Sequence, residues 1–206
     1  MAAIYPINGE EEKQIALKAA ADVLQAGGIA AIPTDTVYGF AAMVHDRSAI
    51  DRLYQIKERS HNKSIAVLLS DAEQAALVAH EFPARARRLA AKYWPGALTV
   101  IIRKNAGLPD NLTSNDLVGL RIPDHEFTRE LIRLTGPLAV TSANLSGENP
   151  AKSIDDFKNI LGSQLDIIID GGPCSGGIPS SVINCETEPA VILREGAIPA
   201  KDLLAC

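Results

Sequence analysis

Aromatic residues make up only 4% of this 206-residue chain, so its core must come from Ala, Ile, Leu and Val within a 47% hydrophobic content. Cysteine is also scarce. Cys174, Cys185 and Cys206 are odd in number, widely spaced and without a CxxC. That argues against a disulfide framework or zinc site and for a reducing compartment. Positive charge is not in excess: 20 Lys and Arg face 25 Asp and Glu, a formal net charge of -5. A surface that grips nucleic acid throughout is disfavoured, and a local basic groove is not. No apolar run reaches the ~20 residues of a membrane-spanning helix, and the first residues lack a basic n-region and an apolar h-region. The expectation is a soluble, cytoplasmic protein without membrane contact. Several catalytic signatures are missing as well: GxxxxGK[ST], a GxGxxG after the first strand, GxSxG and HExxH. The four histidines show no metal-ligand spacing. A P-loop ATPase, a dinucleotide fold, a serine hydrolase and a zinc enzyme are all disfavoured, and no protein metal site is expected.

What is present is an alternation of helical and strand-like periods. Residues 10–26 read as a helix with Ile15, Ala16, Ala19, Ala20, Val23 and Leu24 inward, stopped by Gly27-Gly28. Further helices are expected at 48–57, 71–78, 83–93, 126–134 and 153–161, the last with Ser153 as cap and Asp156 three residues on. Strands are expected at 29–32, 65–69, 98–103, 118–122, 138–141, 167–169, 182–184 and 191–194. The last three strands lack intervening helices. The expected fold is therefore α/β, one domain over 1–206, with helices on a twisted sheet of mixed parallel and antiparallel strands. No repeat or low-complexity linker divides the chain. The Gly-rich stretch 170–181 reads as a flexible flap over a site.

Polar chemistry collects in four places. Pro33-Thr34-Asp35-Thr36-Val37-Tyr38-Gly39 follows an apolar strand. It is either a ligand-binding strand end or a Thr-rich turn that satisfies its own backbone. Residues 57–63 supply Lys57, Arg59 and Lys63, either a solvated helix end or a phosphate clamp. Ser142 and Asn144 leave the strand 138–141 one residue apart, and Ser180-Ser181 precede the strand 182–184; each is a polar turn or a ligand contact. Arg121 and Arg194 end apolar strands, pointing to solvent or into a site.

The order and spacing of many segments resemble the YrdC-like family of threonylcarbamoyl-AMP synthases. They are PTDTVYG at 33–39, Lys57-x-Arg59, WPGALTVI at 94–101, GLRIPDH at 119–125, TSANLSG at 141–147, DGG at 170–172, PSSVIN at 179–184 and LREGAI at 193–198. The resemblance implies an open-clefted YrdC-like fold. It also implies a nucleotidyltransferase making threonylcarbamoyl-AMP and pyrophosphate from L-threonine, bicarbonate and ATP, with Mg2+ accompanying ATP. The product would serve a separate transferase complex that modifies adenosine 37 of tRNA, and tRNA is a possible direct partner. By position, Thr36, Arg121, Ser142 and Ser181 would bind threonine. Lys57, Arg59, Lys63, Asn144 and Arg194 would bind ATP, with Lys57 and Arg59 catalytic. The chain departs from the family's usual residues at Phe40, Glu58, Ser60, Ser64 and Leu68, which spares the charged groups. Two other readings stand beside this one: a non-catalytic RNA-binding module that uses the basic cluster, and a carbamoyl-phosphate-processing domain.

Overall fold

The computed structural model describes residues 2–205; Met1 and the Cys206 thiol lie outside them. The elements in chain order are β1 (Ala3–Pro6), α1 (Glu10–Gln25), β2 (Ala30–Ile32), β3 (Gly39–Met43), α2 (Arg47–Ile56), β4 (Ala66–Leu68), α3 (Ala75–Val78), α4 (Ala84–Tyr93) and β5 (Leu98–Arg103). They continue with β6 (Leu117–Arg121), α5 (Glu126–Thr135), β7 (Leu138–Ser142), α6 (Lys158–Leu161), β8 (Ile167–Asp170), β9 (Ser181–Asn184), β10 (Val191–Arg194) and α7 (Ala200–Leu204). The strands form one sheet in the order β1-β8-β2-β3-β7-β4-β6-β5-β9-β10. Four pairings are parallel and five antiparallel, so the mixed α/β sheet expected from the sequence is the architecture found. Among the described residues, no helix is long and apolar enough to cross a membrane.

Two apolar clusters sandwich the sheet. The larger joins Phe40, Val67, Val100, Val118 and Ile183 to α2 and α4. The smaller lies on the opposite face, where α1 and α5 pack on β8, β2, β3 and β7 through Leu17, Leu24, Phe127 and Leu131. The same cluster extends to Tyr5 of β1 and Leu68 of β4 and takes in no residue of β6, β5 or β9, so that face of the sheet is left uncovered by this helix pair from β4 onward. The site lies there.

Several local expectations need correction. The buried stripe of α1 is Ala16, Leu17, Ala20, Ala21 and Leu24, while Ile15 is exposed; the stripe is rotated by about one position toward α5. In the segment 71–78 only Ala75–Val78 is helical, because the Asp71 carboxylate binds the Glu73 and Gln74 amides in a competing turn. The segment 153–161 splits into a 3-10 turn (Ile154–Asp156) and α6, although the Ser153/Asp156 capping box forms as expected. The strands β1 and β3 have no counterpart among the expected ones. β1 has only four residues, two of them Tyr5 and Pro6. β3 begins at Gly39, which reads in the sequence as a turn.

At the start of α5, the His125 ring accepts from the Thr128 amide at 3.5 Å and so acts as the N-cap. Burial lowers its pKa below the usual 6.5, outweighing the opposing pull of Asp35. A lowered histidine contributes stability that is complete above the unfolded value and is lost as pH falls through the folded one. His125→Asn keeps an acceptor but cannot titrate. Thermal melts of this variant should lose less stability than the parent as pH falls below 6.5.

Candidate active site

The heptapeptide is the loop of a β-hairpin. Ile32 pairs with Gly39, and Ala30 with Ala41, so residues 33–38 bridge β2 to β3. The Thr34 hydroxyl organises this loop. It donates to Val37 O at 2.6 Å and accepts from the Thr36 and Val37 amides at 3.1 and 3.2 Å. Thr34 therefore performs the turn-satisfying role. Thr36 is 1% exposed, its Oγ1 lies 3.0 Å from Thr34 Oγ1, and it has a second partner.

That partner is Arg121, at the end of β6. Its Nη1 donates to Thr36 Oγ1 at 2.8 Å, its Nη2 to Asp35 Oδ1 at 2.5 Å, and its Nε to Gly96 O at 3.0 Å. Burial lowers the Arg121 pKa, and the Asp35 carboxylate opposes that shift. The heptapeptide carboxylate thus pairs with the buried cation and sets its direction.

The segment 170–181 is not a free flap. The Gly176 and Gly177 amides donate to Asp35 O and Thr36 O at 2.9 and 2.7 Å. The Tyr38 hydroxyl donates to Gly172 O at 2.8 Å and accepts from the Gly171 amide at 3.0 Å. A Cβ at Gly176 would lie 2.5 Å from Asp35 O, so only glycine permits this approach. The segment is stitched along the hairpin loop.

In front of Arg121 lies a cleft of about 250 Å3. Its floor is the uncovered face of the sheet. The residue pairs Ala66/Leu68, Gly119/Arg121, Thr99/Ile101 and Val140/Ser142 line it from four neighbouring strands, each pair two residues apart and hence on one face. The site therefore lies across the sheet, not beyond the strand ends as an open α/β fold suggests. Arg59 and Arg194 also line the cleft, and no Asp or Glu does.

Arg59 follows α2. Its Nε donates to Lys63 O at 2.9 Å and its Nη2 to Ser64 O at 3.0 Å. Arg194 donates from Nε to Ser180 O at 3.0 Å and from Nη2 to Ser180 Oγ at 3.2 Å. Neither pairs with a carboxylate among the described residues. Burial lowers both pKa values, and Arg59 lowers that of Arg194 further. Arg194 in turn lowers Arg121. Three guanidiniums lining one cleft, with Arg194 in electrostatic reach of both others and Asp35 paired to Arg121, make a site for anions. Each of Arg59 and Arg194 uses two of its five N–H donors on the protein.

Four expected site residues sit differently. Lys57 is fully buried. Its ammonium donates to Ser142 O, to Asn144 O at 2.5 Å and to Asn144 Oδ1 at 3.2 Å. It binds the turn after β7 and does not line the cleft. Burial and nearby Arg59 push its pKa down to about 7. Asn144 completes the same turn by donating to Leu145 O and Glu148 O at 2.7 and 3.0 Å, so its amide is spent on backbone. Lys63 is exposed, with Nζ 3.4 Å from Ser146 Oγ and no place in the cleft wall. Ser181 is fully buried and turned away. Its hydroxyl donates to Ile198 O at 2.6 Å and accepts from the Gly196 and Ile198 amides, which exhausts it. The neighbouring Ser180 faces the cleft instead, because successive strand residues point to opposite sides. Thr36, Arg121, Ser142, Arg59 and Arg194 all line the cleft. Sequence reasoning misses Thr99, because the apolar run around it hides the hydroxyl; its two-residue spacing from Ile101 is the signal that places it. Glu58 adopts φ 48°, the left-handed region, which a residue with a side chain enters at a steric cost.

Comparison with known proteins bears on this arrangement. The profile of the Sua5–YciO–YrdC family, described as "Telomere recombination", matches residues 22–196. A Methanocaldococcus jannaschii protein provisionally named a threonylcarbamoyl-AMP synthase is 34% identical over 203 residues, 98% of this chain and 96% of that one. The Pyrococcus abyssi threonylcarbamoyl-AMP synthase is 34% identical over 189 residues, 91% of this chain but 56% of its own length. The chain thus spans nearly all of the first relative and little more than half of the second. The crystal structure of P. abyssi Sua5 complexed with L-threonine superposes with a TM-score of 0.90 at 32% identity, covering 98% of this chain and 59% of that one. By profile, sequence and fold, the chain belongs to the Sua5–YciO–YrdC family.

Proposed function

We propose that this protein is an L-threonylcarbamoyladenylate synthase that joins L-threonine, bicarbonate and ATP. The observation that carries the proposal is a cleft lined by no Asp or Glu in which Arg59 and Arg194, without carboxylate partners among the described residues, adjoin a third guanidinium, Arg121, that donates to Thr36. The family relationship to proteins named for this activity, one of them solved with L-threonine, supports it.

In this reading Arg121 and Thr36 receive the amino acid, the guanidinium taking its carboxylate. The amino group, carboxylated by carbon dioxide from bicarbonate, becomes a carbamate. A carbamate oxygen attacks the α-phosphorus while the bond to the β-phosphate oxygen breaks, releasing pyrophosphate. Both partners are anions, so the principal task is to hold them together against repulsion, and fixed cations do this by electrostatic preorganisation. Arg59 and Arg194 supply that charge at the phosphates. Lys57 and Asn144 act indirectly by holding the backbone that carries Ser142. Mg2+ would arrive with ATP: no group of three or more His, Cys, Asp or Glu among the described residues could hold a metal, and oxygen-rich triphosphate is its usual carrier. The product would pass to a separate transferase complex acting on tRNA, so the reaction would belong to the cytoplasm.

Purified protein with ATP, Mg2+ and bicarbonate should release pyrophosphate only when L-threonine is added, and mass spectrometry should find threonylcarbamoyl-AMP. Pyrophosphate release that ignores threonine, or none from folded protein, would refute the assignment.

A further inference from the structure

We infer that the hydroxyls of Thr99, on β5, and Ser180, the residue before β9, are positioning groups that aim Arg194 at the nucleotide phosphates. The inference rests on the synthase reading for the identity of the anion. Its geometry stands independently.

Arg194 has an unusual anchorage. It ends β10, an edge strand whose pairing with β9 slips between Ile192 and Arg194. Such a bulge re-aims the side chain that follows it. Here it brings a guanidinium from the edge of the sheet onto the wall of the cleft. Both protein hydrogen bonds of that guanidinium go to one residue, Ser180, at its carbonyl and its hydroxyl. Two bonds to one residue fix the plane of the fork. One bond would leave it free to rotate.

The hydroxyl bond depends in turn on Thr99. Ser180 Oγ lies 2.8 Å from Thr99 Oγ1, and both residues are buried. Arg194 can only donate, so Ser180 Oγ must keep a lone pair toward it. The remaining Ser180–Thr99 contact holds the serine hydroxyl in that orientation. Buried hydroxyls persist only when partnered, so the two hydroxyls and the guanidinium form one connected unit. Thr99 is itself constrained from below. A Cβ at Gly119 would lie 3.0 Å from the Thr99 methyl carbon, so the glycine leaves room for the threonine to lie on the sheet in this orientation. From above, Gly196 rests on the Ser180 backbone, where a Cβ would fall 2.2 Å from Pro179 O. Glycine at both places lets backbone and side chain close around the Arg194 anchor.

Arg59, the other guanidinium without a carboxylate partner among the described residues, is held by two backbone carbonyls. Arg194 is the one whose orientation depends on side-chain hydroxyls. Its aim should therefore respond to point substitutions that leave the backbone in place.

The test uses Thr99→Val, which keeps the shape and removes the hydroxyl, Thr99→Ser, which keeps the hydroxyl, and each in an Arg194→Ala background. Steady-state kinetics and direct ATP binding by calorimetry are both read. Thr99→Val should raise the KM and Kd for ATP by about threefold to tenfold, the scale of one hydrogen bond to a charged group lost in part. The KM for threonine should stay within about twofold, and Thr99→Ser should match the parent. In the Arg194→Ala background Thr99→Val should add nothing further to the ATP Kd, because the group it positions is gone. Equal losses for ATP and threonine, or a full additional loss in the Arg194→Ala background, would overturn the proposal. A parent protein that binds ATP but releases no pyrophosphate would refute the synthase reading alone. The ATP Kd ratios would then still decide whether Thr99 acts through Arg194.

Discussion

Arg121→Met is expected to cut kcat/KM for threonine by about 100-fold or more and to lower stability by about 3 kcal/mol. The scale follows from removing one partner of a buried, hydrogen-bonded ion pair. Arg121 is 6% exposed and makes three hydrogen bonds, to Gly96 O, Thr36 Oγ1 and Asp35 Oδ1. Methionine fills much of the volume but leaves Asp35 half-enclosed and unpaired. The loss of stability and the loss of function therefore have separate causes, and a second variant separates them. Arg121→Met with Asp35→Asn relieves the stranded charge. Its thermal stability should recover much of the way toward the parent, while threonine binding stays lost. If the double variant bound threonine with parental affinity, Arg121 would not be the carboxylate anchor. Asp35→Asn alone should weaken threonine binding less than Arg121→Met, since the guanidinium keeps its bonds to Thr36 and Gly96.

Lys57→Met and Arg59→Ala should both abolish most turnover, but by routes that a melting curve distinguishes. The Lys57 ammonium is fully buried and bridges three oxygens of Ser142 and Asn144. Removing it leaves these acceptors dry and unpartnered, at roughly 1–3 kcal/mol each where no water replaces the bond. A loss of about 3 kcal/mol lowers Tm by about 6–12 °C in a chain of this size. Arg59 is half-exposed, and its loss should move Tm by less than about 2 °C while raising the KM for ATP by at least about tenfold. The charge state of Lys57 provides a second readout. Its folded pKa, about 7, lies below the ordinary 10.5, so between those values the unfolded chain binds more protons. Stability from this group therefore rises with pH across that window and is lost as pH falls through 7. Lys57→Met should remove that rise. A Lys57→Met protein with parental Tm and only a raised ATP KM would return Lys57 to a direct phosphate role.

Much of the fold is readable in the sequence because periodicity reports burial. Strands β5 and β10 appear where the apolar runs 98–103 and 191–194 place them. The absence of helices between the last three strands signals a mixed sheet, although only the β9–β10 pairing among the five antiparallel ones lies there. Strands β1 and β3 are illegible for the same physical reason. Four residues containing Pro6, or a strand beginning at Gly39 and including three small residues, carry too little periodic signal. The rotated stripe of α1 and the truncated helix at Ala75–Val78 are tertiary and local hydrogen-bonding effects that override propensity.

The site divides along a similar line. The residue types are legible in the linear chain: three arginines, a hydroxyl-rich loop, and the Lys57-x-Arg59 and Ser142-x-Asn144 pairs. Their division of labour is not. Sequence alone determined that this chain folds as a mixed α/β sheet and carries the cations and hydroxyls of an anion-handling site, because composition and spacing fix which groups exist and on which elements. Only the tertiary structure decided which groups face the cleft. It buried Lys57 against the turn it organises, turned Ser181 into the 195–198 loop, and gave Arg121 its Asp35. It also set Thr99 and Arg194, 81 and 14 positions away in the chain, beside Ser180. Strand order and register bring distant residues together, and a side chain's role follows from which oxygen lies within about 3 Å of it, a distance no linear spacing encodes.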